Sequence, residues 1–114
     1  MSDNELQQFE QQLAGQVEVW EMRLREGYNV RQMFEATVQN GPALIAGEVQ
    51  QMLEEVNNGA AFTDALKQWL ARRPSQDLNL FVTTLLVQRE TGGNLADILQ
   101  VVGHVLKQRP ASAA

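Results

Sequence analysis

Apolar residues recur along this chain at steps of three and four, the period of a helix with one buried face. Leu6, Phe9, Leu13, Val17, Trp20 and Leu24 form the first stripe, with Asp3 or Asn4 as its cap and Gly27 as its end. Gly15 inside it carries a modest helix cost unless another helix approaches closely there. Val30, Met33, Phe34 and Val38 form the second stripe behind Asn29 as N-cap. Asn40-Gly41-Pro42 ends it and opens the third, since proline suits a first-turn position. Leu44, Ile45, Val49, Met52, Leu53 and Val56 form that third stripe, with Glu54 and Glu55 facing away. After Asn57-Asn58-Gly59 come Phe62, Ala65, Leu66, Trp69 and Leu70, closed by Arg72-Arg73-Pro74 because the residue before proline resists helical geometry.

The fifth helix, capped by Ser75 with Asp77 in its first turn, breaks the pattern. Leu78, Leu80, Phe81, Val82, Leu85, Leu86 and Val87 cover almost its whole circumference. A helix apolar all round sits centrally in a bundle or is buried in a partner. The sixth returns to one stripe: Leu95, Ile98, Leu99, Val102, Val105 and Leu106. Lys107 and Arg109 then meet the negative end of its dipole. Trp20, Trp69 and Phe81 are the expected core anchors, and Tyr28, beside a turn, is open to a partner.

Between the last two helices lies Gln88-Arg89-Glu90-Thr91-Gly92-Gly93-Asn94-Leu95. The two glycines stop the fifth helix, because glycine takes a left-handed conformation without a Cβ penalty. Asn94 caps the sixth, and Asp97 puts negative charge in its first turn. This corner is one of three that share a pattern: Gly27…Val30…Met33-Phe34, Gly59…Phe62…Ala65-Leu66 and Gly92…Leu95…Ile98-Leu99, spaced by 32 and 33 residues. The reading is an all-α fold, a six-helix bundle built from three helical hairpins, with a glycine corner inside each. Residues 1–110 form a single helical domain and 111–114 a disordered tail. The middle corner carries Ala61 where the others carry Asn29 and Asn94. It lacks a capping side chain and is expected to be the loosest, by about 1 kcal/mol. Neither the tetratricopeptide nor the ankyrin signature accompanies the period.

With 114 residues, 44% of them apolar and 20% charged, the chain has material for one real core and is not a disordered segment. It has no cysteine, which excludes a disulfide framework and a thiolate zinc site. A net charge of −5 leaves no nucleic-acid footprint. The charge is uneven: residues 1–57 carry −7 and residues 58–114 carry +2. An acidic face on helices 1 to 3, marked by Glu54 and Glu55, is therefore a candidate contact for a basic partner. No run approaches the roughly 20 apolar residues of a membrane helix, and the acidic, polar N-terminus is unlike a signal peptide.

Catalytic groupings are lacking. His104 has no second histidine or cysteine to work with, Ser75 and Ser112 have no base nearby in sequence, and Gly92-Gly93 follows a helix rather than the strand of a phosphate loop. No cofactor is expected. Glu90 is less ordinary, because it occupies the last turn of helix 5, where the dipole disfavours a negative charge. It calls for pairing with Arg89, Arg72 or Arg73, or plain solvation; the sharper reading makes Arg89 and Glu90 a partner-contact corner or a carboxylate metal site.

Four segments carry a family resemblance: Glu26-Gly27-Tyr28-Asn29-Val30, Gly59 to Leu66, Asp77-Leu78-Asn79-Leu80-Phe81-Val82, and Gln88 to Leu99, the last being the most specific. Across roughly residues 10–109 the chain resembles the cytoplasmic domain of the type II secretion system F family, the inner-membrane platform proteins of secretion and type IV pilus machines. It is nearest the TadB/TadC branch of the Flp pilus. The resemblance implies a non-enzymatic cytoplasmic domain of a bacterial inner-membrane protein, flanked by membrane helices that this chain lacks, and hence an excised domain. It implies contact with the assembly ATPase and with other platform subunits, and coupling of ATPase motion to pilin extrusion. By the same analogy a homo-oligomer is compatible. The competing expectation is a free-standing soluble adaptor that binds a peptide or partner helix.

Overall fold

The computed structural model describes residues 3–109. Six helices make up their regular structure: α1 (Asp3–Arg25), α2 (Val30–Asn40), α3 (Ala43–Asn57), α4 (Phe62–Arg72), α5 (Gln76–Thr91) and α6 (Leu95–Gln108). The all-α class expected from the stripes is the class observed. The residue three after each repeated glycine, Val30, Phe62 or Leu95, is the first residue of α2, α4 or α6. Pro42 stands one position before the α3 helix rather than within its first turn, and its carbonyl accepts from the Ala46 N–H at 2.8 Å. None of these helices is long and apolar enough to cross a membrane. The tail expected at 111–114 lies outside the described residues.

The core is built on aromatic rings from four helices, α1, α2, α4 and α5. Trp20 of α1 stacks on Phe81 of α5 at 4.7 Å between centroids, and Phe34 of α2 meets Trp20 edge-on at 5.3 Å. Trp69 of α4 packs edge-on against Phe81 at 6.4 Å and Phe34 at 6.5 Å. Leu99, Val102 and Leu106 of α6 are buried in the same cluster. Both indole N–H groups have acceptors, as burial requires. Trp20 Nε1 donates to Thr37 Oγ1 at 2.7 Å and Trp69 Nε1 to Glu48 Oε1 at 2.9 Å.

Packing partners differ from sequence neighbours. The expected hairpins α1–α2, α3–α4 and α5–α6 all make contact, but α1 packs most extensively on α6 and α2 on α3. Gly103 lies in the α1–α6 contact, where a Cβ would meet Val17 Cγ1 at 3.4 Å, an ordinary van der Waals distance. No neighbour within 4 Å faces the missing Cβ of Gly15, so helix contact does not explain that glycine. α5 touches α1, α4 and α6 and buries Leu78, Phe81, Val82 and Leu85, yet Val87 is 51% exposed. On α6, Val105 faces solvent more than its place in the stripe suggests, and Val101 is 64% exposed.

The connections gather at two ends of the bundle. At one end, Arg25 closing α1 reaches Asp97 in the first turn of α6 at 3.1 Å, and Arg89 near the end of α5 lies over the Phe62 ring that opens α4. Arg31 in the first turn of α2 bonds Asn57, the last residue of α3. All three glycine corners therefore meet there. At the other end Arg73 reaches Glu5 at 2.7 Å, Ser75 Oγ reaches Glu10 at 2.5 Å, and Arg109 reaches Asp77 at 2.6 Å. The first and last described turns of the chain both belong to this second end.

Candidate functional site

The glycine end is built from three helix stops. At the first two, two backbone bonds close the preceding helix: Tyr28 N–H to Arg23 O at 3.0 Å with Gly27 N–H to Leu24 O at 3.1 Å, and Ala60 N–H to Glu55 O at 2.9 Å with Gly59 N–H to Val56 O at 3.0 Å. This is the Schellman ending, and it requires a left-handed residue. Gly27 and Gly59 supply it, at φ 102° and 111°. The third corner is tighter. α5 runs to the residue directly before Gly92, which adopts φ 80° and ψ −153°, a region open in practice to glycine alone. Gly93 follows at φ 94°, so the turn needs both glycines.

The capping expectations for α2, α4, α5 and α6 divide as read, whereas Asp3 and Asn4, expected to cap the first helix, lie within α1. Asn29 makes a reciprocal capping box with Gln32, Asn94 accepts from the Asp97 N–H at 3.1 Å, and Ser75 accepts from the Leu78 N–H at 3.1 Å. Ala61 gives α4 no side-chain cap.

At this end Arg89 is held with its guanidinium carbon 5.0 Å from the centre of the Phe62 ring. It has no ion pair among the described residues, unlike Arg23, Arg25, Arg31, Arg72, Arg73 and Arg109. Beside it is a notch of about 180 Å³, lined by Val30, Arg31, Leu53, Val56, Phe62 and Arg89. Arg31 is already satisfied by Glu35 at 3.2 Å and by Asn57. Glu90 is exposed and makes no ion pair among the described residues, so the expected pairing with Arg89, Arg72 or Arg73 is not made. No group of three or more acidic or histidine side chains suited to a metal ion occurs among the described residues.

The acidic half is less available than its charge suggests. Glu18 pairs with Lys107, Glu21 with Arg25, Glu26 with Arg23, and Glu35 with Arg31. Glu55 does not face away: it takes Arg72 Nη1 at 2.8 Å across the α3–α4 contact, and its Oε1 is buried without a partner among the described residues. Glu54 is exposed, accepts from Gln50 at 3.3 Å, and flanks Arg31 in a second hollow of about 240 Å³. The structure thus joins Arg89 to Phe62 and Arg31, and leaves Glu54 and Glu55 on the neighbouring α3 flank.

Sequence reasoning missed a polar cluster at the opposite end. Arg73, 8% exposed at its side chain, bonds Glu48 Oε2 through Nε at 2.8 Å and Glu5 through Nη2, and lies over Phe9 at 5.0 Å. Burial works against its charge, but the Glu48 and Glu5 carboxylates outweigh it and hold its pKa above the usual guanidinium value. Bonds from Glu21 and Asp97 do the same for Arg25. The stop before Pro74 was legible; the carboxylates that Arg73 finds there come from α1 and α3 and were not.

A cleft of about 470 Å³ lies between α1 and α2, with Gln11, Gln12, Gln16, Asn40, Thr37 and Arg23 among its lining. It holds no acid–base pair or nucleophile beside a base, the minimum for catalysis. His104 is exposed on α6.

No curated protein and no solved structure gives a match. The family model for type II secretion system protein F matches residues 17–113. That span takes in all three glycine corners, and on it the chain belongs to the type II secretion system protein F family.

Proposed function

We propose that the chain is the cytoplasmic domain of a bacterial inner-membrane platform protein, serving type II secretion or assembly of a type IV or Tad pilus. In this reading it couples the assembly ATPase to pilin extrusion by mechanical contact and without catalysis. The observation that carries the reading is the family match over residues 17–113. The TadB/TadC branch is the finer assignment, supported by the Gln88–Leu95 segment. Membrane attachment would come from flanking segments.

The arrangement of the two ends supports a mechanical role. Chain entry and exit share one end, near Glu5 and Arg109, while the three glycine corners share the other. A domain tethered to a membrane at the first end presents the corners to the cytoplasm. The ring cluster of Trp20, Phe34, Trp69 and Phe81 joins four helices in a close-packed core that transmits a push instead of absorbing it.

The test is binding of the 114-residue chain to the assembly ATPase from the same cells, at low and high salt. The reading expects saturable binding that weakens with Arg89→Glu while the fold persists. Absence of binding at either salt would contradict ATPase coupling. Loss through Glu54→Lys with Arg89→Glu harmless would move the contact to the acidic flank. Glu55 is unsuited to this test, because its reversal also breaks the Arg72 pair.

A further inference from the structure

Arg89 and its notch have a chemistry of their own. The guanidinium is the arginine without a carboxylate among the described residues, in a chain whose net charge is −5. Its guanidinium carbon lies 5.0 Å from the centre of the Phe62 ring, a cation–π contact that holds it beside the notch. The notch lining is otherwise apolar, from Val30, Leu53, Val56 and Phe62, apart from Arg31. No carboxylate lines it. At about 180 Å³ it suits one large apolar side chain. The N-terminus of α2, capped by Asn29 and Gln32, opens at its rim with no acidic residue in the first turn.

We propose that the notch receives one leucine- or phenylalanine-sized side chain of a partner helix, while Arg89 takes a neighbouring aspartate or glutamate of the same helix in a bidentate pair. The occupant is an acidic amphipathic segment of another protein. Charge complementarity selects it: a basic helix would set its cations against Arg89 and Arg31, and a neutral one would leave Arg89 unpaired. Glu90, next in sequence, faces solvent and disfavours a second acid on its own side, which orients the segment. The inference goes beyond the platform reading, because it concerns side-chain chemistry that any acidic amphipathic helix could satisfy.

The test is a heteronuclear NMR titration of the isotopically labelled 114-residue chain. Two short synthetic amphipathic helices are compared, identical except that one carries glutamate and the other lysine beside a central leucine. The acidic peptide is expected to shift the backbone resonances of Val30, Val56, Phe62 and Arg89, with an affinity that falls as salt is added. The lysine peptide leaves them in place. Arg89→Gln is expected to weaken the acidic peptide by about tenfold, and Arg89→Lys, which keeps the charge but not the fork, to fall between. Equal shifts from both peptides, shifts confined to another face, or an affinity unchanged in Arg89→Gln would each overturn the proposal. Since the probe is synthetic, such a failure leaves the ATPase-binding result untouched, and the converse also holds.

Discussion

The indole N–H of Trp20 donates to the hydroxyl of Thr37 at 2.7 Å, wholly inside the bundle. The same oxygen accepts from Gln16 Nε2 at 3.2 Å and donates to the Met33 carbonyl at 3.2 Å. One hydroxyl thus satisfies two α1 side chains and fixes α2 against them. Thr37→Val keeps the shape and removes the acceptor, leaving buried donors unpaired. A loss of about 1–3 kcal/mol is expected, read from the urea midpoint, with Thr37→Ser losing less. An unchanged midpoint for Thr37→Val would show that the bond contributes nothing.

Arg73 should matter more than its place at a helix end suggests. Arg73→Met leaves Glu48 and Glu5 without their cation, and a loss of about 3 kcal/mol is expected. The sign of any pH dependence follows from the raised pKa. Such a group stabilises fully below its unfolded pKa and stops only as pH rises through the folded one. For Arg73 that lies in strong alkali, so its contribution should be level across neutral pH in wild-type melting curves.

Two glycines should respond to alanine with opposite signs. Gly15 lies inside α1 with no neighbour at its Cβ position, so Gly15→Ala is expected to stabilise by about 0.5–1 kcal/mol. Gly92 also has open space, but its φ of 80° and ψ of −153° strain any side chain. Gly92→Ala is expected to destabilise by about 1–3 kcal/mol. Thermal unfolding of the two variants side by side separates backbone strain from crowding.

The α4 start offers a gain. Ala61→Asn supplies the side-chain oxygen that Asn29 and Asn94 supply at the other corners, and about 0.5–1 kcal/mol of added stability is expected. Hydrogen exchange in the first turn of α4 should slow by a corresponding factor; unchanged exchange would mean that the middle corner is no looser than the others.

What was legible in the sequence was local. The Gly-to-helix offset marked the first residues Val30, Phe62 and Leu95, and the stripes named Trp20, Trp69 and Phe81 as core. What depended on distant pairing was not. Glu55 and Glu54 are neighbours of one type, yet only Glu55 meets an arginine, because only it faces α4. Arg73 and Arg89 look alike in the chain, and one is buried among carboxylates while the other rests on a ring in the open. The extensive α1–α6 contact joins the two ends of the sequence, where no period links them.

The central claim is that this domain works as part of a membrane platform. The most direct measurement is an immunoblot of fractionated source cells with an antibody raised against the chain. A band well above 12.8 kDa in the carbonate-resistant membrane pellet is the expected result. A band near 12.8 kDa in the soluble fraction would contradict the claim and favour a free-standing adaptor.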